Sequence, residues 1–254
     1  MNALLAGVSA LFLYAASAPG MAPQEEYPFD RGVRLYEQGK YAESIAPLEH
    51  ALNRYPEGSN ILWNLGLASA AAGQPEKALT YWQRYRTLRS EDWRVLPKLI
   101  QTYQALGRIE LRDETLAELL RLRAQTLDPE FLDARWFCRE QFKMNGRRVL
   151  AYQFFEPSGE WMQLYRFSVA DAGGKEAFFI SLGSYEMTHQ LSRELGDIQT
   201  DERVYHFDGY YPDGVHKTFG FLNAKTAPSY DAIRPTVLEI LKGEIQPMSS
   251  SQFK

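Results

Sequence analysis

Residues 59–90 read SNILWNLGLASAAAGQPEKALTYWQRYRTLRS, and the fold of the first half turns on them. Upstream of Gly73, apolar or small residues recur at helical spacing (Leu62, Leu65, Gly66, Ser69), and downstream a second set does the same (Ala78, Leu79, Trp82, Tyr85). Gly73 stands between them, where a residue at positive φ closes one helix without a Cβ penalty. The stretch therefore predicts two amphipathic helices turned back on each other. Gly66 and Ala78 are small where the two would cross, which leaves room for larger neighbours.

The pattern repeats. Gly39, Gly73 and Gly107 are 34 residues apart, and Gly32 and Gly66 keep the same interval. Self-similarity at that period marks a stack of helical hairpins. It resembles the tetratricopeptide repeat family: Leu62, Trp63, Asn64, Leu65, Gly66, Gly73, Ala78 and Trp82 carry the likeness in the middle unit. Gly32, Gly39, Tyr41, Ile45, Leu48, Ala51 and Pro56 carry it in the first, over about 25–58. The third unit, about 93–124, departs from the pattern. Ile100 stands where the first helix should have glycine, Arg112 where the second should have a small residue, and no proline closes it.

The resemblance implies a concave groove lined by the first helix of each hairpin. That lining would comprise Phe29, Val33 and Tyr36, then Trp63, Leu67 and Ala70, then Arg94, Gln101 and Gln104. Some family members grip a C-terminal carboxylate with Lys and Asn, but Phe29 and Val33 occupy the corresponding positions here. An aromatic-floored groove suits an extended or helical peptide with apolar anchors. The alternative is that Phe29 and Trp63 pack on the N-terminal segment or on the second half of the chain.

Flanking the repeats, residues 3–18 form an uncharged apolar run ending in Ala16-Ser17-Ala18. It is shorter than the roughly 20 residues a membrane span takes and looks like a signal segment with a peptidase site. The expectation is an exported protein, periplasmic or extracellular, with residues 1–24 as leader and loop. An uncleaved anchor close to a membrane is the alternative. The formal charge is −4, and residues 1–125 carry 14 basic and 14 acidic side chains with no basic stripe, so nucleic acid is not an expected partner. The one cysteine, Cys138, cannot form an internal disulfide.

After LDPEFLD at 127–133, which reads as a linker, the period changes from helix to strand. Strands are expected at 135–143, 147–155, 161–169 and 176–182, with turns at Asn145-Gly146, Pro157-Ser158-Gly159 and Ala172-Gly173-Gly174. A helix over 184–195 follows, capped by Ser184 and presenting Met187, Leu191 and Leu195 on its apolar face. A hairpin over 203–222 and a helix near 229–243 complete the chain. The fold class is thus α+β in two domains: an all-α, tetratricopeptide-like stack over 25–126 and an antiparallel sheet with two helices over 134–246.

The hairpin RVYHFDGYYPDGVHKTFGFLN holds the second half's chemistry-bearing residues. A turn at Pro212-Asp213-Gly214 pairs Tyr211 with Val215 and Tyr210 with His216. In that register Tyr205, Phe207, Tyr211, Val215, Phe219 and Phe221 share one face, and His206, Asp208, Tyr210, His216 and Thr218 share the other. His206, Asp208 and His216 are the candidate metal ligands or acid–base groups; the alternative is the wet face of a half-buried hairpin. No phosphate-loop, dinucleotide, zinc-protease or nucleophile-elbow motif occurs, and no cofactor is expected. The leading reading is a non-enzymatic protein-binding adaptor. The competing one is an enzyme or small-ligand sensor with its site on the hairpin.

Overall fold

The computed structural model describes residues 26–156, 161–199 and 201–249. The apolar run and its Ala16-Ser17-Ala18 end, and the Pro157-Ser158-Gly159 turn, lie outside these residues. The chain is α+β: helices come first, then an antiparallel six-stranded sheet with a C-terminal helix.

The helical region is built from three hairpins, α1 (Pro28–Glu37) with α2 (Tyr41–Arg54), α3 (Ser59–Ala71) with α4 (Pro75–Leu88), and α5 (Val95–Ala105) with α6 (Ile109–Gln125). Gly39, Gly73 and Gly107 sit at φ 76°, 74° and 66°, so the 34-residue interval marks three left-handed helix stops. Gly66 lies against the face of the Trp82 ring, the crossing for which the small residue was needed. Leu48, Leu62, Leu65, Ala78, Trp82, Leu99, Ile100 and Leu119 form one buried core through the stack. Side-chain links tie successive second helices together: Tyr81 donates to Glu49 at 2.8 Å, and Arg86 pairs with Glu118 at 2.6 Å.

The segment 127–133 includes a short helix, α7 (Pro129–Asp133), capped by the Asp128 carboxylate. Its Phe131 is buried, stacked on Trp93 and edge-on to Phe155, so the helical core continues through it to Phe137 of the first strand.

Strands β1 (Trp136–Met144), β2 (Arg147–Phe154), β3 (Trp161–Ala170), β4 (Glu176–Tyr185), β5 (Arg203–Tyr210) and β6 (His216–Ala224) pair in sequence order. Helix α8 (Glu186–Glu194) follows β4, and α9 (Tyr230–Lys242) covers one face of the sheet. Ser229 caps α9, and Ile233, Val237 and Ile240 pack on Val149, Phe167, Ile180 and Phe207 in a second core.

Two sequence expectations are corrected here. The apolar stripe of α8 does not face inward: Met187, Leu191 and Leu195 are 80%, 54% and 68% exposed. Its N-cap is Tyr185, with no side-chain cap bond, because β4 runs on through Ser184. Phe221 also leaves the apolar face. The turn register holds, with Tyr210 opposite His216, but an extra β6 residue between the partners of Phe207 and Asp208 puts Phe207 opposite Gly220 and His206 opposite Phe221. One inserted residue shifts the pairing, so the side-chain alternation predicted from the turn fails beyond it.

Candidate functional site: the helix–sheet junction

The third hairpin is tied to the second half of the chain through Arg112, which breaks the repeat pattern, and through Gln101. Arg112, fully buried on α6, donates to both carboxylate oxygens of Asp231 on α9, at 3.1 and 2.7 Å, and to Gln104 Oε1 at 2.5 Å. A small residue here could not reach α9. On β1 a bulge lies between Cys138 and Glu140. Arg139 lies over the Tyr230 ring, while Glu140 accepts from the Tyr230 hydroxyl at 2.5 Å and from Arg234 at two 2.7 Å contacts. Gln101 of α5 donates to the Cys138 carbonyl at 2.7 Å, so the β1 edge is tied to the stack.

Between these ties lies a cleft of about 410 Å³. Tyr36 of α1, Leu67 and Ala70 of α3, Lys98, Gln101 and Ala105 of α5 and Gln141 of β1 line it. The cavity thus takes its walls from the first helix of each hairpin, from Trp82 of α4 and from β1. The remaining groove residues predicted by resemblance sit elsewhere. Phe29 and Val33 pack against the helical core. Trp63 is held by Trp82 and Tyr85, ring centroids 5.2 and 5.1 Å away, within its own hairpin. Arg94 occupies the N-cap position of α5 and pairs with Asp92 at 2.8 Å and Glu130 at 3.7 Å. Gln104 is bound by Arg112.

The sheet face opposite α9 extends from this cleft. Strand register aligns Cys138, Tyr152, Arg166, Ser181, Asp208 and Thr218 in one row, and Gln141, Leu150, Ser168, Phe179, Tyr210 and His216 in the next. A second cavity, of about 240 Å³, lies on it beside β1, lined by Trp136, Arg148, Leu150, Tyr152, Arg166 and Glu176 among others. Gln141 of the first cavity is the cross-strand partner of Leu150 of the second. Lys98, Gln141 and Arg148 were not among the sequence candidates. Nothing in a single sequence signals that a strand 40 residues downstream abuts the third hairpin.

The charges of this junction act on its half-buried groups. Burial pushes the Cys138 thiol up to about 11, and the Lys98 and Arg148 charges pull against it. Burial likewise raises the Tyr36 hydroxyl, with Tyr41 adding to the rise and Arg148 opposing it.

At the far end of the same face stand the hairpin candidates. Asp208 is fully buried and accepts from Thr218 Oγ1 at 2.7 Å, and His216 Nε2 lies 3.3 Å from the same oxygen. His206 lies two pairs further along β5, at right angles to the Tyr185 and Phe221 rings. Desolvation lowers its pKa; Asp208 favours the charged form and His216 disfavours it. Among the described residues no three His, Cys, Asp or Glu side chains gather in a metal-holding cluster. The geometry gives a buried Asp orienting a half-exposed His, with the other His set apart among rings.

No family model matches the chain, and no match to it was found among curated proteins. Solved structures similar to part of it include a point mutant of MamA (19% identity, 42% of this chain and 59% of that one, TM-score 0.37). Others are a chain of the "CopN-Scc3 complex" (21% identity, 42% and 65%, TM-score 0.38) and the "MamA RS-1 ArsTM double mutant" (22% identity, 40% and 57%, TM-score 0.37). Each match spans less than two thirds of the other chain.

Proposed function

We propose that the chain is a non-enzymatic protein-binding scaffold whose working surface is the cleft between the helical stack and β1. One observation carries the reading: an open cavity of about 410 Å³ between the helices and β1, bordered by Tyr36, Leu67 and Ala70 and by Gln141 of the strand. Half-buried aromatic and aliphatic side chains beside an accessible groove favour anchoring of an extended segment. The tetratricopeptide-like arrangement of the hairpins supports the same reading. We further propose that the protein works outside the cytoplasm, on the strength of the apolar run 3–18 and its small-residue end. The sequence-level domains, 25–126 and 134–246, then act together, because the cleft takes its walls from both.

The test is affinity capture from native cells with wild-type protein and with Ala70→Trp, which fills the cleft from an exposed helix position. Trp63→Ala is unsuitable, since Trp63 supports the Trp82 and Tyr85 rings. The expected result is a protein partner retained by the wild type and lost by a variant with an unchanged melting temperature. Equal retention by both would remove the cleft from the account.

A further inference from the structure

The charge of the junction defines what the cleft takes. Lys98 borders the larger cavity and Arg148 the smaller one, and the Gln141–Leu150 pair spans the two. Among the described residues neither cation forms an ion pair; Arg148 makes only a 3.5 Å contact with the Gly174 carbonyl. Arg166 in the same smaller cavity is different, because Glu176 neutralises it through contacts of 2.6 and 2.8 Å. Two unmatched positive charges therefore remain on an acidic protein, set among the rings of Tyr36, Trp136 and Tyr152 and the side chain of Leu67.

We propose that the helix–sheet junction takes an acidic, apolar-anchored segment of a partner protein, with carboxylates against Lys98 and Arg148 and apolar side chains against Tyr36, Leu67 and Trp136. This rests on the scaffold reading above and adds the chemistry of the partner. Two isolated cations suit discrete carboxylates, whereas a nucleic-acid backbone needs a run of phosphate contacts that this surface does not offer. Opposite charge across such a surface fixes register and speeds encounter, while the apolar contacts slow dissociation.

The experiment is panning of a random 12-residue peptide library against the full chain, followed by affinity measurement of enriched synthetic peptides. The expected peptides combine Asp or Glu with aromatic or aliphatic residues and lose affinity on Ala70→Trp. Lys98→Gln and Arg148→Gln should each weaken them roughly threefold to fivefold, the double variant by the product, and added salt should weaken the wild-type complex. Neither residue belongs to a buried core, so melting curves should be unchanged. Peptides that need the cleft but are neutral, and indifferent to both charge variants and to salt, would overturn the acidic partner while leaving the scaffold reading standing. Peptides indifferent to Ala70→Trp, or no enrichment at all, would overturn both.

Discussion

Gly66→Ala tests the packing that makes the first half a stack of hairpins. In an ordinary helix interior this change stabilises by about 1 kcal/mol, because alanine loses less conformational freedom. Here a Cβ at position 66 would stand 2.7 Å from three atoms of the Trp82 ring, against 3.4 Å or more in ordinary contact. The obstacle is the face of a fused ring that is 1% exposed, not the end of a flexible side chain. Accommodating the methyl requires α3 and α4 to part by about 0.7 Å or the ring to tilt, and overpacking of this kind costs about 1–3 kcal/mol. Taking the upper end, the net loss is about 2 kcal/mol, or about 4–8 °C in Tm for a chain of this size. Denaturant melts of wild type, Gly66→Ala, Trp82→Leu and the double variant make a cycle. With the ring gone, Gly66→Ala should turn neutral or stabilising. A stabilising Gly66→Ala in the wild-type background would refute the crossing geometry.

Asp231→Ala leaves the buried Arg112 guanidinium with Asp113 and Gln104 alone; since Asp231 is half-exposed, the expected loss is about 2 kcal/mol, below the usual range for a fully buried pair, read by denaturant melts. His206 is held neutral by burial, its pKa below the ordinary value of 6.5. The unfolded chain therefore takes that proton first, so stability from this group is present above about pH 6.5 and is lost as pH falls through the window below it. His206→Phe should flatten the wild-type slope by up to about 1.4 kcal/mol per pH unit there, measured by melts from pH 7.5 to 5. Cys138, with its thiol pushed up to about 11, should react with an aromatic disulfide at pH 8 on the order of a hundredfold more slowly than a free thiol, and at the ordinary rate in denaturant.

The helical half was legible because its signal is redundant: Gly39, Gly73 and Gly107 each need positive φ, and the same interval recurs at Gly32 and Gly66. Strand positions were legible for a similar reason, with Asn145-Gly146 and Pro212-Asp213-Gly214 fixing turns. What failed was what depends on one residue or on distant partners. The β6 bulge carries no local signature, yet it moves Phe221 from the core face to the side of His206. The apolar stripe of α8 has helical spacing but no surface to cover it among the described residues. Arg112 broke the repeat pattern at the place where the stack meets α9, so the departure was visible and its cause was not. The same long-range contact explains the candidate site. Tyr36, Leu67 and Gln101 were named from the hairpins, but Lys98, Gln141 and Arg148 acquire their meaning only when β1 closes the groove.

The central claim, that the helix–sheet junction is the binding surface, is tested most directly by hydrogen exchange of the full chain with and without a saturating enriched peptide. The account predicts slowed exchange in the C-terminal turns of α1 and α3, in α5 around Lys98–Gln101, and in β1 and β2 around Gln141 and Arg148. Slowing confined to β5, β6 and α8, with the junction unchanged, would contradict it and move the site to the face around Asp208 and His216.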